Sequence, residues 1–197
     1  MQSVMIIKNV KVFTEDKTFE PGAIGIENGI FKNNLFESGE IIDGEGCYAI
    51  PGLIDVHFHG CMGYDFCDGT QEAIEKIAEY EGSQGITTIV PATMTLSEED
   101  LMKIMANGGA YENKAGIATL AGINMEGPFI CSKKKGAQAA THIHKPDVAM
   151  FRRLQEAANG LIRLVELAPE EEGAMDFIRE LKDEVHISFA HTTVSYT

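Results

Sequence analysis

Cysteine is scarce and unpaired in pattern: Cys47, Cys61, Cys67 and Cys131 include no CxxC. That spacing excludes a zinc ribbon and a disulfide-stapled secreted fold, so a reducing cytoplasm is the expected setting. Cations are few as well, sixteen Lys+Arg against thirty Asp+Glu, for a formal charge of -14. A surface of that sign repels phosphate backbones and anionic headgroups, so no nucleic acid and no membrane surface is expected as a partner. An anionic small molecule stays admissible, because a local cluster of cations can outweigh the global field inside a cleft. No apolar run is long enough to cross a bilayer. The opening MQSVMIIKNVKVF is interrupted by Lys8 and Lys11 and has no basic segment ahead of a long apolar core, so no signal peptide is expected. The phosphate-cradling patterns GxGxxG and GxxxxGKS/T are also missing.

What is present is ordinary globular material, 44% apolar and 23% charged. At 197 residues the chain can build one substantial core, or a small accessory domain and part of a larger one. Residues 1–50 read as a β segment, with Val4 to Phe13 rich in Val and Ile and a second run at Ala23 to Ile26. Glu27-Asn28-Gly29 and Asp43-Gly44-Glu45-Gly46 supply turns.

Residues 51–197 have a different texture, in which apolar runs alternate with helical spacing. Strands are expected at Leu53 to Val56, Ile86 to Val90, Ile117 to Met125, Leu161 to Leu167 and Val185 to Phe189. Helices are expected from Thr70 to Ser83, from Ser97 to about Ala106, from Pro146 through Ala158, and from Glu170 to Leu181. A long loop should run from Glu126 to Lys145. Strand and helix in alternation make a parallel α/β sheet, and without the nucleotide fingerprints a barrel is favoured over a doubly wound sheet. Five strands do not close an eight-stranded barrel, so the expected fold is a partial (β/α)8 TIM-barrel that stops part of the way round.

In such sheets chemistry collects at the C-terminal ends of the strands. There the sequence puts His57 and His59, then Glu126, then His191. Residues at i and i+2 of a strand share a side, so His57 and His59 can face one ion, and imidazole and carboxylate are ligands for a divalent metal. Any one of these histidines could instead be a hydrogen-bonded structural side chain; it is their shared position at strand ends that favours a metal site.

Other candidates are weaker. His142 and His144 sit in the polar loop with no apolar strand before them, which suits a solvent or substrate-side role. His186 begins a strand and reads as structural. Lys133-Lys134-Lys135 is the one basic run, either a solvated loop face or an attractor for an anionic substrate. Cys61 and Cys67 lack a neighbouring base and are poor nucleophiles. Met94, Met102 and Met105 read as core filling on helix and strand faces.

Taken together, PGLIDVHFHG with GYDF, then GITTIVPATMT, NMEGPFICSKKKGAQ, VELAPE and the histidine of FAHTT resemble the amidohydrolase superfamily. Within it they are most similar to the N-acetylglucosamine-6-phosphate deacetylase family. The match runs in order from about Ile41 to His191. The resemblance implies a metal-dependent (β/α)8 barrel carrying a small β-sandwich, a homodimeric parent enzyme, and removal of the acetyl group from an amino-sugar phosphate. It implies that Glu126 and His191 are ligands of a main metal site, that His57 and His59 hold a second ion, and that Gln138 lies near the substrate's acetyl group. One or two divalent ions, zinc or iron, are expected. The family's catalytic aspartate, its third metal histidine and most of its phosphate-binding residues are expected beyond Thr197, so this chain reads as the N-terminal portion of such an enzyme. Two alternatives stay open: another amidohydrolase, such as a related deacetylase or a cyclic-amide hydrolase, and an inactive fragment.

Overall fold

A computed structural model of the chain describes residues 4–32 and 38–195. They fall into two compact units, Met1–Pro51 and Gly52–Thr197. The first consists of β1 (Val4–Phe13), β2 (Phe19–Glu27), β3 (Ile30–Lys32), β4 (Glu40–Asp43) and β5 (Tyr48–Ala49). The Val- and Ile-rich β1 is the centre, antiparallel to β2 and parallel to β4 and β5. Asn28 and Gly29 turn β2 into β3 with φ of 52° and 77°. Two consecutive left-handed residues are what a tight hairpin requires, and Asn-Gly supplies them at least cost. Residues 1–3, the start of the segment read above as no signal peptide, lie outside the described residues.

The second unit is mixed α/β. Its elements are β6 (Leu53–Asp55), β7 (Gly60–Cys61), β8 (Tyr64–Asp65), α1 (Gln71–Ser83), β9 (Ile86–Ile89), α2 (Glu98–Gly109), β10 (Thr119–Leu120), β11 (Ile123–Glu126), α3 (Val148–Ala157), β12 (Ile162–Leu167), α4 (Ala174–Leu181) and β13 (His186–Phe189). Strands β6, β9 and β10 pair in parallel, as do β11, β12 and β13. The two ladders are joined where the chain after β9 meets β11: Ala92 bridges Asn124, and the Asn124 amide donates to the Pro91 carbonyl at 2.9 Å. Apart from the short hairpin β7–β8 and the direct step from β10 to β11, the strands of this unit follow one another with helices between them, as in βαβ units.

Helix starts are set by side chains. Thr70 accepts from the Ala73 amide, Ser97 from the Asp100 amide, and Asp147 from those of Ala149 and Met150. Each satisfies backbone donors that the first helical turn leaves open. Apolar side chains from α1 to α4 and from the strands form one core that includes Ile77, Ile89, Leu101, Met125, Phe129 and Phe151. Phe177 meets Phe129 and Phe151 edge-on, with ring centroids 5.2 and 5.8 Å away. Burying each such ring contributes roughly 1.5–3 kcal/mol.

Five expectations are corrected. The single strand from Ile117 to Met125 is two, β10 and β11, stepped at Ala121-Gly122. A side chain on Gly122 would lie 2.5 Å from Arg163 Cγ, so the close strand approach there needs glycine. The helix expected from Pro146 begins at Val148, because Asp147 takes the capping position. The one expected from Glu170 begins at Ala174, after a turn ending at Gly173 (φ 90°). Helix α2 runs on to Gly109. Of the methionines, Met105 is in the core, but Met94 lies on neither helix nor strand.

Candidate functional site

Strands β6, β11 and β13 bring four of the expected site residues, His57, His59, Glu126 and His191, to their C-terminal ends. The chain leaving β6 is fastened to the segment after β9 by the Val90 amide on the Asp55 carbonyl (2.8 Å) and the Ala92 amide on the Phe58 carbonyl (2.7 Å). His57 and His59 sit on that fastened stretch. Gly60 follows at once, where any side chain would strike the Tyr64 carbonyl oxygen at 2.0 Å; the hairpin β7–β8 therefore turns directly behind His59. Glu126 is the last residue of β11 and is paired in register with Glu166 on β12. His191 lies two residues past β13, with φ of 48°.

Everything converges on the carboxylate of Glu126, which is 4% exposed. His57 Nε2 is 3.2 Å and His59 Nε2 3.1 Å from its Oε2. His191 Nε2 is 2.6 Å from Oε1, and Gln138 Nε2 donates to the same oxygen at 2.9 Å. The ligand atoms of His57, His59 and Glu126 all lie within 4.8 Å of one another, as a single ion requires.

The other ring nitrogens decide the tautomers. His57 Nδ1 is 2.7 Å from Glu166 Oε1, His59 Nδ1 is 3.2 Å from the Ala92 carbonyl, and His191 Nδ1 is 2.9 Å from the Lys134 carbonyl. All three partners are oxygen acceptors, so each Nδ1 carries the proton. At His57 and His59 the ring then turns a lone pair, not an N–H, toward Glu126, whereas His191 Nε2, 2.6 Å from Oε1, donates to it. Lone pairs of His57 and His59 facing a carboxylate oxygen repel it. Consistent with this, Oε2 of Glu126 is buried without a hydrogen bond, although both nitrogens stand within ion-pair distance. An orphaned carboxylate oxygen and two inward lone pairs, each backed by an outer acceptor, fit a divalent cation. For His191, burial lowers the pKa, but the bonds to Glu126 and Lys134 outweigh it and the net shift is upward.

Gln138 is buried between the two halves of this arrangement. Its Oε1 accepts the Thr95 amide at 2.6 Å while its Nε2 holds Glu126, so both ends of its amide are committed within the protein. Directly after Glu126 the chain turns at Gly127 (φ 76°), where a Cβ would lie 2.1 Å from Thr95 Oγ1.

The remaining candidates are not brought into the cluster. His142 ends a short helical turn, Ala140–His142, and His144 is exposed, anchored by its amide to the Pro128 carbonyl. His186 is exposed at the start of β13. Lys133 and Lys134 are exposed on the turn Ser132–Lys134, whose backbone holds His191. Burial pushes the Cys67 thiol up to about 12, which leaves it protonated and unreactive at neutral pH. Sequence reasoning passed over Glu166 and Asn124. The signal was there in VELAPE, where an ionisable residue interrupts an apolar strand and must find buried partners.

A family model described as "Amidohydrolase family" matches residues 48–191. The N-acetylglucosamine-6-phosphate deacetylase of Bacillus subtilis (strain 168) is 33% identical, over 98% of this chain and 51% of that protein. The solved N-acetylglucosamine-6-phosphate deacetylase of Thermotoga maritima shares 27% identity at a TM-score of 0.78, covering 95% of this chain and 49% of that one. The structure of the enzyme of the same name from Pasteurella multocida, 22% identical, has a like fold with a TM-score of 0.84, covering 98% and 52%. The chain spans about half the length of the curated relatives it matches.

Proposed function

Since the chain belongs to the amidohydrolase family, we propose that it carries the first strands and the metal centre of a (β/α)8 barrel deacetylase. The proposed reaction is hydrolysis of the acetamide of N-acetylglucosamine 6-phosphate to glucosamine 6-phosphate and acetate, in the cytoplasm, by an enzyme that is a homodimer when whole. The observation that carries this reading is the buried Oε2 of Glu126, without a hydrogen bond and faced by the lone-pair nitrogens of His57 and His59.

In this reading His57, His59, Glu126 and His191 would hold the cation, with Glu126 turning Oε2 to His57 and His59 and Oε1 to His191. A divalent cation held there, zinc or iron, would supply Lewis acidity for lowering the pKa of water and polarising an amide carbonyl. The chain's own residues do the rest. Nδ1–H bonds to Glu166, Ala92 and Lys134 fix the three imidazoles, so no reorganisation is needed when charge develops. Gln138 holds Glu126 against rotation, and its buried position supports a positioning role ahead of the direct contact with an acetyl group that the resemblance implies. The exposed Lys133 and Lys134 beside the His191 loop supply local positive charge suited to a phosphorylated sugar.

Elemental analysis of purified protein tests the centre: Glu126→Gln is expected to lose bound metal, and unchanged content would remove Glu126 from the ligand set. The substrate is tested by acetate release from N-acetylglucosamine 6-phosphate by the intact gene product, against the unphosphorylated sugar and cyclic amides. A strong preference for a cyclic amide would overturn the substrate assignment.

A further inference from the structure

We propose that Glu166 is a positioning residue for the cation, acting through His57, whose Nδ1 its buried carboxylate holds so that Nε2 faces Glu126. The proposal rests on the metal-centre reading above and adds a residue that lies outside the group of facing ligand atoms.

Glu166 is 5% exposed and stands in register with Glu126 on the neighbouring parallel strand. Its Oε1 accepts from His57 Nδ1 at 2.7 Å and from Asn124 Nδ2 at 2.8 Å. Asn124 Nδ2 also donates to the carbonyl of Val56, the residue before His57, at 3.1 Å, which fixes its amide as the donor. The 3.3 Å approach of Asn124 Nδ2 to His57 Nδ1 is therefore two donors meeting over one acceptor. Asn124 and Glu126 are two apart on β11 and share a face, so strand geometry sets this arrangement. His57, nearly half exposed, has no comparable constraint on its solvent side.

Charge gives the second argument. Among the described residues, the ion-pair partners of Glu126 and Glu166 are histidines only, with no Lys or Arg. Two carboxylates in register on adjacent strands therefore face imidazoles alone. Burial of unpaired charge is costly, and one divalent cation cancels it. Glu166 thus leaves the ligating atoms to its neighbours.

The test uses the full chain, stripped with chelator and titrated with Zn2+ alone by calorimetry, with stoichiometry checked by elemental analysis. Glu166→Ala is expected to weaken Zn2+ binding about ten- to hundredfold. Glu166→Gln, which keeps an oxygen acceptor but removes the charge, should fall between Glu166→Ala and wild type. In a His57→Ala background the effect of Glu166→Ala should largely vanish. Wild-type affinity in Glu166→Ala, or a loss that persists undiminished without His57, would overturn the proposal. If circular dichroism shows that Glu166→Ala does not fold, Glu166→Gln decides, unchanged affinity being the overturning result. Wild-type protein that binds no Zn2+ would instead bring down the metal-centre reading itself, a distinct outcome.

Discussion

At the scale of single residues, the site shows how much of a functional centre is set by atoms that never touch a substrate. His57 and His59 were recognisable from their spacing after an apolar run, and Glu126 and His191 from their places at strand ends. Glu166 was not, because strand position makes it a neighbour of Glu126 and only the parallel register brings the two together. The same holds for Gly127: its presence reads as a turn, but the reason no other residue serves is the hydroxyl of Thr95, 32 positions earlier. Gly127→Ala should therefore lower stability by about 1–3 kcal/mol, from the left-handed φ and the clash together, as read from chemical denaturation. A loss below about 0.5 kcal/mol, the range of ordinary surface substitutions, would show that the loop relaxes freely.

At the scale of elements, helices were the most legible part. Thr70 and Ser97 announced α1 and α2 to the residue, because capping chemistry is local. Strands were less so. The run expected at Ala23 to Ile26 is only the later part of β2, which begins at Phe19; Pro21 and Gly22 join it through pairing with Lys11 and Val10. For α3 the capping residue is Asp147, one past the proline that seemed to open the helix, so Asp147→Ala should cost about 1 kcal/mol in thermal unfolding while Pro146→Ala costs less. The reverse ranking would contradict the assignment.

Glu170, expected to begin a helix, instead ties the loop after β12 to the loop after β13. It accepts from the Thr193 amide at 2.6 Å and from the hydroxyls of Thr192 and Thr193. Slight burial raises its pKa, but these bonds prevail and hold the carboxyl down to about 2. A carboxylate depressed in the folded state adds stability above its ordinary value near 4.5 and loses it as pH falls toward about 2. The difference in melting temperature between wild type and Glu170→Gln should thus be largest above about pH 4.5 and shrink below it. A pH-independent difference would mean the charge is immaterial.

At the scale of the molecule, sites and scaffold are coupled by one short stretch, residues 132–138. It lends Lys134's carbonyl to His191 and Gln138's amide to Glu126, so both halves of the proposed metal centre lean on the same loop. Any ligand that prefers the folded arrangement stabilises it by mass action. If the proposed centre binds its cation, local opening of this loop and departure of that ion become one equilibrium seen from two sides. Lys133, Lys134 and Lys135 place trypsin cleavage sites on that loop. Cleavage there should slow as Zn2+ is added and speed up when it is chelated, making protease susceptibility a direct gauge of occupancy. Rates indifferent to Zn2+ would uncouple the loop from the centre.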